Sequence, residues 1–115
     1  MITIKADIIG HTMEITGHAG GEYGQDIVCA AVSALAMTLA QMCLDLSKRY
    51  PEIYPIAEIV MESGEFRIRA ECREPAFDLP DCITAVTRLD VVFETVYCGL
   101  ANLAKTYPKK IRCMG

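Results

Sequence analysis

The chain has two histidines and six cysteines, and one stretch brings both residue types together. It reads Gly17-His18-Ala19-Gly20-Gly21-Glu22-Tyr23-Gly24-Gln25-Asp26-Ile27-Val28-Cys29-Ala30. A thiol attacks carbonyl carbon as its thiolate, and a helix start favours the thiolate because its first N–H groups lie outside the hydrogen-bond ladder at the positive end of the dipole. If Asp26 caps a helix beginning at Ile27, Cys29 is the third helical residue. The same N–H groups suit the negative oxygen that develops when a thiolate adds to an amide. A nucleophilic thiol also needs a base that can later act as an acid, and imidazole, with a reference pKa of about 6.5, does both near neutrality. His18 is the candidate base and Cys29 the candidate nucleophile. Asp26 can serve as a helix cap, as an orienter of His18, or as both. Ser33, one turn beyond Cys29 on the same face, either touches the site or bonds the preceding carbonyl.

Residue types alone leave other readings open. His18 can be a strand-end residue satisfied by backbone while Cys29 merely packs. A phosphate cradle over Gly17, Gly20, Gly21 and Gly24 lacks the G-K-[ST] ending and places Glu22 and Asp26 where phosphate would be repelled. A metal site from His18, Asp26 and Cys29 has only three ligands at no recognised spacing, so no metal and no cofactor are expected. An easily ionised Cys29 also suits thiol sensing, given a resolving cysteine nearby. A non-enzymatic peptide-binding module is the remaining competitor. Cys43, Cys72, Cys82, Cys98 and Cys113 show no C-x-x-C spacing and read as small core or surface residues without an assigned role. His11, at a turn, reads as solvated.

These residues must be positioned by the elements around them. Ile2, Ile4, Ala6 and Ile8 alternate with Thr3, Lys5 and Asp7, the pattern of a half-buried strand. Thr12 to His18 reads as its hairpin partner, after a tight connection at Gly10-His11. Gly20, Gly21 and Gly24 make 19–25 a loop that bends sharply. Ile27 to about Arg49 reads as a helix, with Lys48-Arg49 suiting its C-terminal dipole and Pro51 and Pro55 stopping it. Ile56 to Met61 and Glu65 to Cys72 flank the turn Glu62-Ser63-Gly64 as a second hairpin. Leu89, Val92, Phe93, Val96, Leu100 and Leu103 mark an amphipathic helix over about Cys82 to Lys105. Ile111 and Cys113 suggest a short closing strand. The expected fold is α+β, two helices on a mainly antiparallel sheet, in the order ββαββα with a final β.

A length of 115 residues fits one domain, 1–115, and 52% hydrophobic residues supply a core. The net charge of −4 argues against nucleic acid as a partner, since phosphate binding calls for excess Lys and Arg. The N-terminus lacks the build of a signal peptide, so a cytoplasmic chain with reduced thiols is expected. Ile27 to Leu44 carries no charge over eighteen positions. Ser33, Thr38 and Gln41 interrupt that run and no aromatic belt flanks it, so a helix buried on most of its circumference, with no membrane partner, is expected.

The stretch also resembles a known family, the ribosomal-processing cysteine proteases called Prp. Gly17-His18-Ala19, the Gly-Glu-Tyr-Gly loop, Asp26-Ile27-Val28-Cys29-Ala30 and the following Ser33 carry the resemblance, and the length and element order are similar as well. It implies that His18 is the base and Cys29 the nucleophile, with Asp26 and Ser33 supporting. It further implies that the loop of Gly20, Gly21 and Gly24 is a movable cover, and that the enzyme is usually a homodimer. The implied substrate is a ribosomal protein precursor, the N-terminal extension of bacterial large-subunit protein number twenty-seven, cut after a short apolar segment ending in paired aromatic residues.

Overall fold

The computed structural model describes residues 1–18, 27–50, 56–62, 64–70 and 82–114. The alternating N-terminal segment forms β1 (Ile2–Asp7), followed by β2 (Thr12–Thr16), α1 (Ile27–Arg49), β3 (Ile56–Glu62), β4 (Glu65–Ala70), α2 (Cys82–Thr106) and β5 (Ile111–Met114). The fold is α+β, and the closing strand is present. The five strands lie in the order β3-β4-β2-β1-β5. Neighbours are antiparallel except β1 and β5, which run parallel.

Period-two alternation explains why both helices cover one face of this sheet. Ile2 and Ile4 of β1, Met13 and Ile15 of β2, Phe66, Ile68 and Ala70 of β4 and Ile111 of β5 are all buried. They pack with Val28, Val32, Leu39 and Leu46 of α1 and with Leu89, Phe93, Val96 and Leu100 of α2 in one hydrophobic cluster. Their strand neighbours turn to the other side. That side carries a shallow concavity of about 600 Å³ lined mainly by charged residues, among them Lys5, Glu14, Glu58, Arg67 and Arg69. Arg67 Nε donates to Glu58 Oε1 at 2.6 Å across this face. Where the helices cross, Gly99 of α2 admits Leu35 of α1, since a methyl group on Gly99 would fall 3.1 Å from the Leu35 side chain.

Two expectations are corrected. The first concerns α1, which is long and apolar enough to cross a membrane by length and composition and was expected to be buried around most of its circumference. It buries a single stripe, at Val28, Val32, Ala36, Leu39, Ala40, Cys43 and Leu46, because the described neighbours α2 and the sheet meet it from one side. Ile27 and Met37 stay 75% and 59% exposed.

The second concerns His11, expected in solvent and found 7% exposed. Its backbone is left-handed, with φ at 54°. Its Nε2 lies 2.5 Å from Asp90 Oδ1 of α2, and its ring centroid is 5.7 Å from that of Phe93. Its carbonyl accepts the Ala70 N–H at 3.0 Å. The partner is 79 positions away, so no local pattern could announce the pair.

β2 ends two residues before His18 because Gly17 adopts φ +94°, outside the extended region. A side chain at Gly17 would also run into the Met1 carbonyl, so strain and collision act together. Gly17→Ala is therefore expected to lower stability by about 1–3 kcal/mol, measured by urea unfolding against the parent chain.

Candidate active site

His18 sits at the exit of β2, exposed to solvent, against the turn between β3 and β4. The Gly17 N–H donates to the Gly64 carbonyl at 2.9 Å, which ties the residue before His18 to that turn. The imidazole lies over the bare face of Gly64, close enough that a methyl group there would stand 2.7 Å from Nε2. Sequence reading took Gly64 only as a turn residue. Its contact with His18 pairs the ends of two hairpins, and only the strand order reveals it.

Cys29 is the third residue of α1, as expected. It is half-buried and packs against the core cluster. The helix start is held down by Val28, 2% exposed, so Cys29 is fixed at the end of α1 where first-turn N–H groups lie outside the helical ladder. Among the described residues, no acidic side chain lies in that first turn of α1. Ser33 is exposed one turn further on.

In sequence, His18 precedes segment 19–26 and Cys29 follows it as the third residue of α1. Gly20, Gly21, Gly24 and Asp26 fall within that segment and lie outside the described residues, as does Cys72. No side chain is described for Cys82. Among the described residues, no group of three or more His, Cys, Asp or Glu side chains is arranged to hold a metal ion.

The other described thiols differ from Cys29 in setting. Burial pushes the Cys43 thiol up to about 12, which keeps it protonated and unreactive near neutrality. Burial also raises Cys113, while its hydrogen bond with Tyr97 acts in the opposite direction. Cys98 is exposed in the middle of α2, far along the helix from either terminus and its partial charge.

The Cys43 shift has a consequence for pH. The unfolded thiol ionises near its ordinary value of 9.0, whereas the folded thiol holds its proton to about 12. Between these values the unfolded state binds fewer protons, so stability falls as pH rises. Thermal unfolding followed from pH 8 to pH 11 should show this loss. Cys43→Ala, though less stable throughout, should show a shallower decline.

The structure therefore places an exposed imidazole at the exit of β2 and a half-buried thiol at the start of α1, residue types that a cysteine hydrolase uses. The comparisons agree with that chemistry. Among solved structures, the chain is similar to the essential ribosomal processing protease Prp of S. aureus in complex with a covalently linked product peptide. That match has 25% identity and a TM-score of 0.67, covering 98% of this chain and 97% of the other. The same S. aureus protease with a substrate peptide matches at 23% identity and a TM-score of 0.65, covering 98% and 95%. SMU.848 from Streptococcus mutans matches at 29% identity and a TM-score of 0.59, covering 97% and 89%. No curated protein matches the sequence. The family described as cysteine protease Prp matches residues 1–112, almost the whole length, and the chain belongs to that family of cysteine proteases.

Proposed function

We propose that this protease removes the N-terminal extension of bacterial large-subunit ribosomal protein number twenty-seven, with Cys29 as nucleophile and His18 as base. The observation that carries the reading is the family match over residues 1–112, together with an imidazole at the exit of β2 and a thiol at the start of α1. The S. aureus relative with its covalently linked product peptide is in keeping with an enzyme that passes through a covalent adduct.

In this mechanism His18 takes the Cys29 proton and the thiolate adds to the scissile carbonyl. The carbonyl oxygen becomes an oxyanion facing the first-turn N–H groups of α1. Collapse breaks the C–N bond, and His18 passes its proton to the departing amine. Water, deprotonated by His18, then cleaves the thioester and returns the free thiol. Asp26 and Ser33 support the dyad, and the loop of Gly20, Gly21 and Gly24 covers the peptide. The reaction takes place in the cytoplasm, and the net charge of −4 favours approach by a basic ribosomal protein.

Incubating the purified chain with the extension peptide and reading the products by mass spectrometry tests the substrate. One cut after the apolar segment supports it, and an intact peptide counts against it.

The enzyme acts as a homodimer in this proposal. The support is the uncovered apolar side of α1, where Ile27, Met37 and Leu44 are 75%, 59% and 40% exposed. Light scattering should then give twice the 12.6 kDa chain mass, and Met37→Glu should move the population toward the monomer.

A further inference from the structure

We infer that Gly64, in the turn between β3 and β4, is a positioning residue for His18: its missing side chain makes the space in which the imidazole is held. The inference rests on the reading of His18 as the catalytic base.

Three observations converge on Gly64. A methyl group there would lie 2.7 Å from His18 Nε2, 3.3 Å from Cε1 and 3.4 Å from Cδ2, so the ring approaches with its Nε2 vertex foremost. Carbon atoms essentially never make a contact as short as the 2.7 Å one to Nε2, so a side chain at 64 requires the imidazole to move. Next, φ at Gly64 is +78°, a left-handed conformation that glycine adopts without strain. Finally, the Gly64 carbonyl accepts the Gly17 N–H at 2.9 Å, which fixes the backbone of the turn to the residue preceding His18. The ring is therefore located by a hydrogen bond behind it and a bare glycine surface beside it. Because His18 is otherwise exposed at a strand end, this turn restrains it to a small part of its rotamer range, and a base must be held close to its reacting geometry to act.

Two variants separate crowding from backbone strain. Gly64→Ala adds a methyl group and dislikes the positive φ, whereas Gly64→Asn adds a side chain but tolerates that φ. Both are expected to lower kcat on the order of 10²-fold with little change in KM, and to shift the pH profile of kcat/KM. With only two histidines in the chain, His18→Ala assigns the imidazole signals in a proton NMR spectrum. The His18 signals should move in both Gly64 variants, while those of His11, buried against Asp90 and Phe93, stay in place and report an intact fold. In the wild-type chain, a nuclear Overhauser effect should connect the Gly64 α protons to the His18 ring. Absence of that effect overturns the proposal even if neither variant folds. So does full kcat in a folded Gly64 variant whose His18→Ala counterpart is inactive, a result that leaves the dyad standing. Normal cleavage by His18→Ala removes the dyad itself, and the positioning role of Gly64 with it.

Discussion

Cleavage of the extension peptide should fall on the order of 10⁴-fold or more in Cys29→Ala and by a similar factor in His18→Ala, and the double variant should be little worse than either alone. Non-additivity is the informative part, because nucleophile and base act in one proton-coupled step and the loss of either removes that step. Cys29 is the only described thiol that combines partial exposure with a helix start; Cys43 is buried and pushed up to about 12, and Cys98 lies mid-helix. Cys43 therefore stays protonated near neutral pH. Single-turnover cleavage with mass spectrometry checks the prediction, and intact folds are verified by circular dichroism. Retention of cleavage in Cys29→Ala would assign the chemistry elsewhere. Losses that multiplied in the double variant would show two residues acting independently.

The largest effect on stability is expected at Phe93. Its side chain is fully buried, it belongs to the cluster joining both helices to the sheet, and its ring meets that of His11. Phe93→Ala removes the aromatic body and leaves a cavity that the sheet on one side and α1 on the other cannot fill, at a cost of about 3–5 kcal/mol. Against a total stability of about 5–15 kcal/mol for a domain of this size, that is a large share. The change also strips the apolar neighbour from the His11–Asp90 pair, so Asp90→Asn in the Phe93→Ala background should cost a different amount than it does alone. Urea unfolding of the single and double variants measures both. A Phe93→Ala chain that unfolds within about 1 kcal/mol of wild type would mean that the cluster is looser than its burial indicates.

The sequence itself determined the local order of this protein. Alternation over Ile2 to Asp7, three- and four-residue spacing from Leu89 to Leu103, and the proline and glycine stops each depend on residues only a few positions apart, and those elements fold with ends within a residue or two of the expected ones. The placement of Cys29 at a helix start followed for the same reason, since the onset of helical composition at Ile27 sets the register of the thiol. The expectations that failed depended on distant residues. Whether α1 is covered on one side or around most of its circumference is decided by how many neighbours reach it, and composition does not count neighbours. His11 looked like a solvated turn residue until α2 carried Asp90 to it. Gly64 looked like a turn glycine until the strand order β3-β4-β2-β1-β5 laid its turn beside the end of β2 and put an imidazole against it. Local composition chose the elements and the chemistry they carry; the packing of the sheet decided which side chains those elements hold in place.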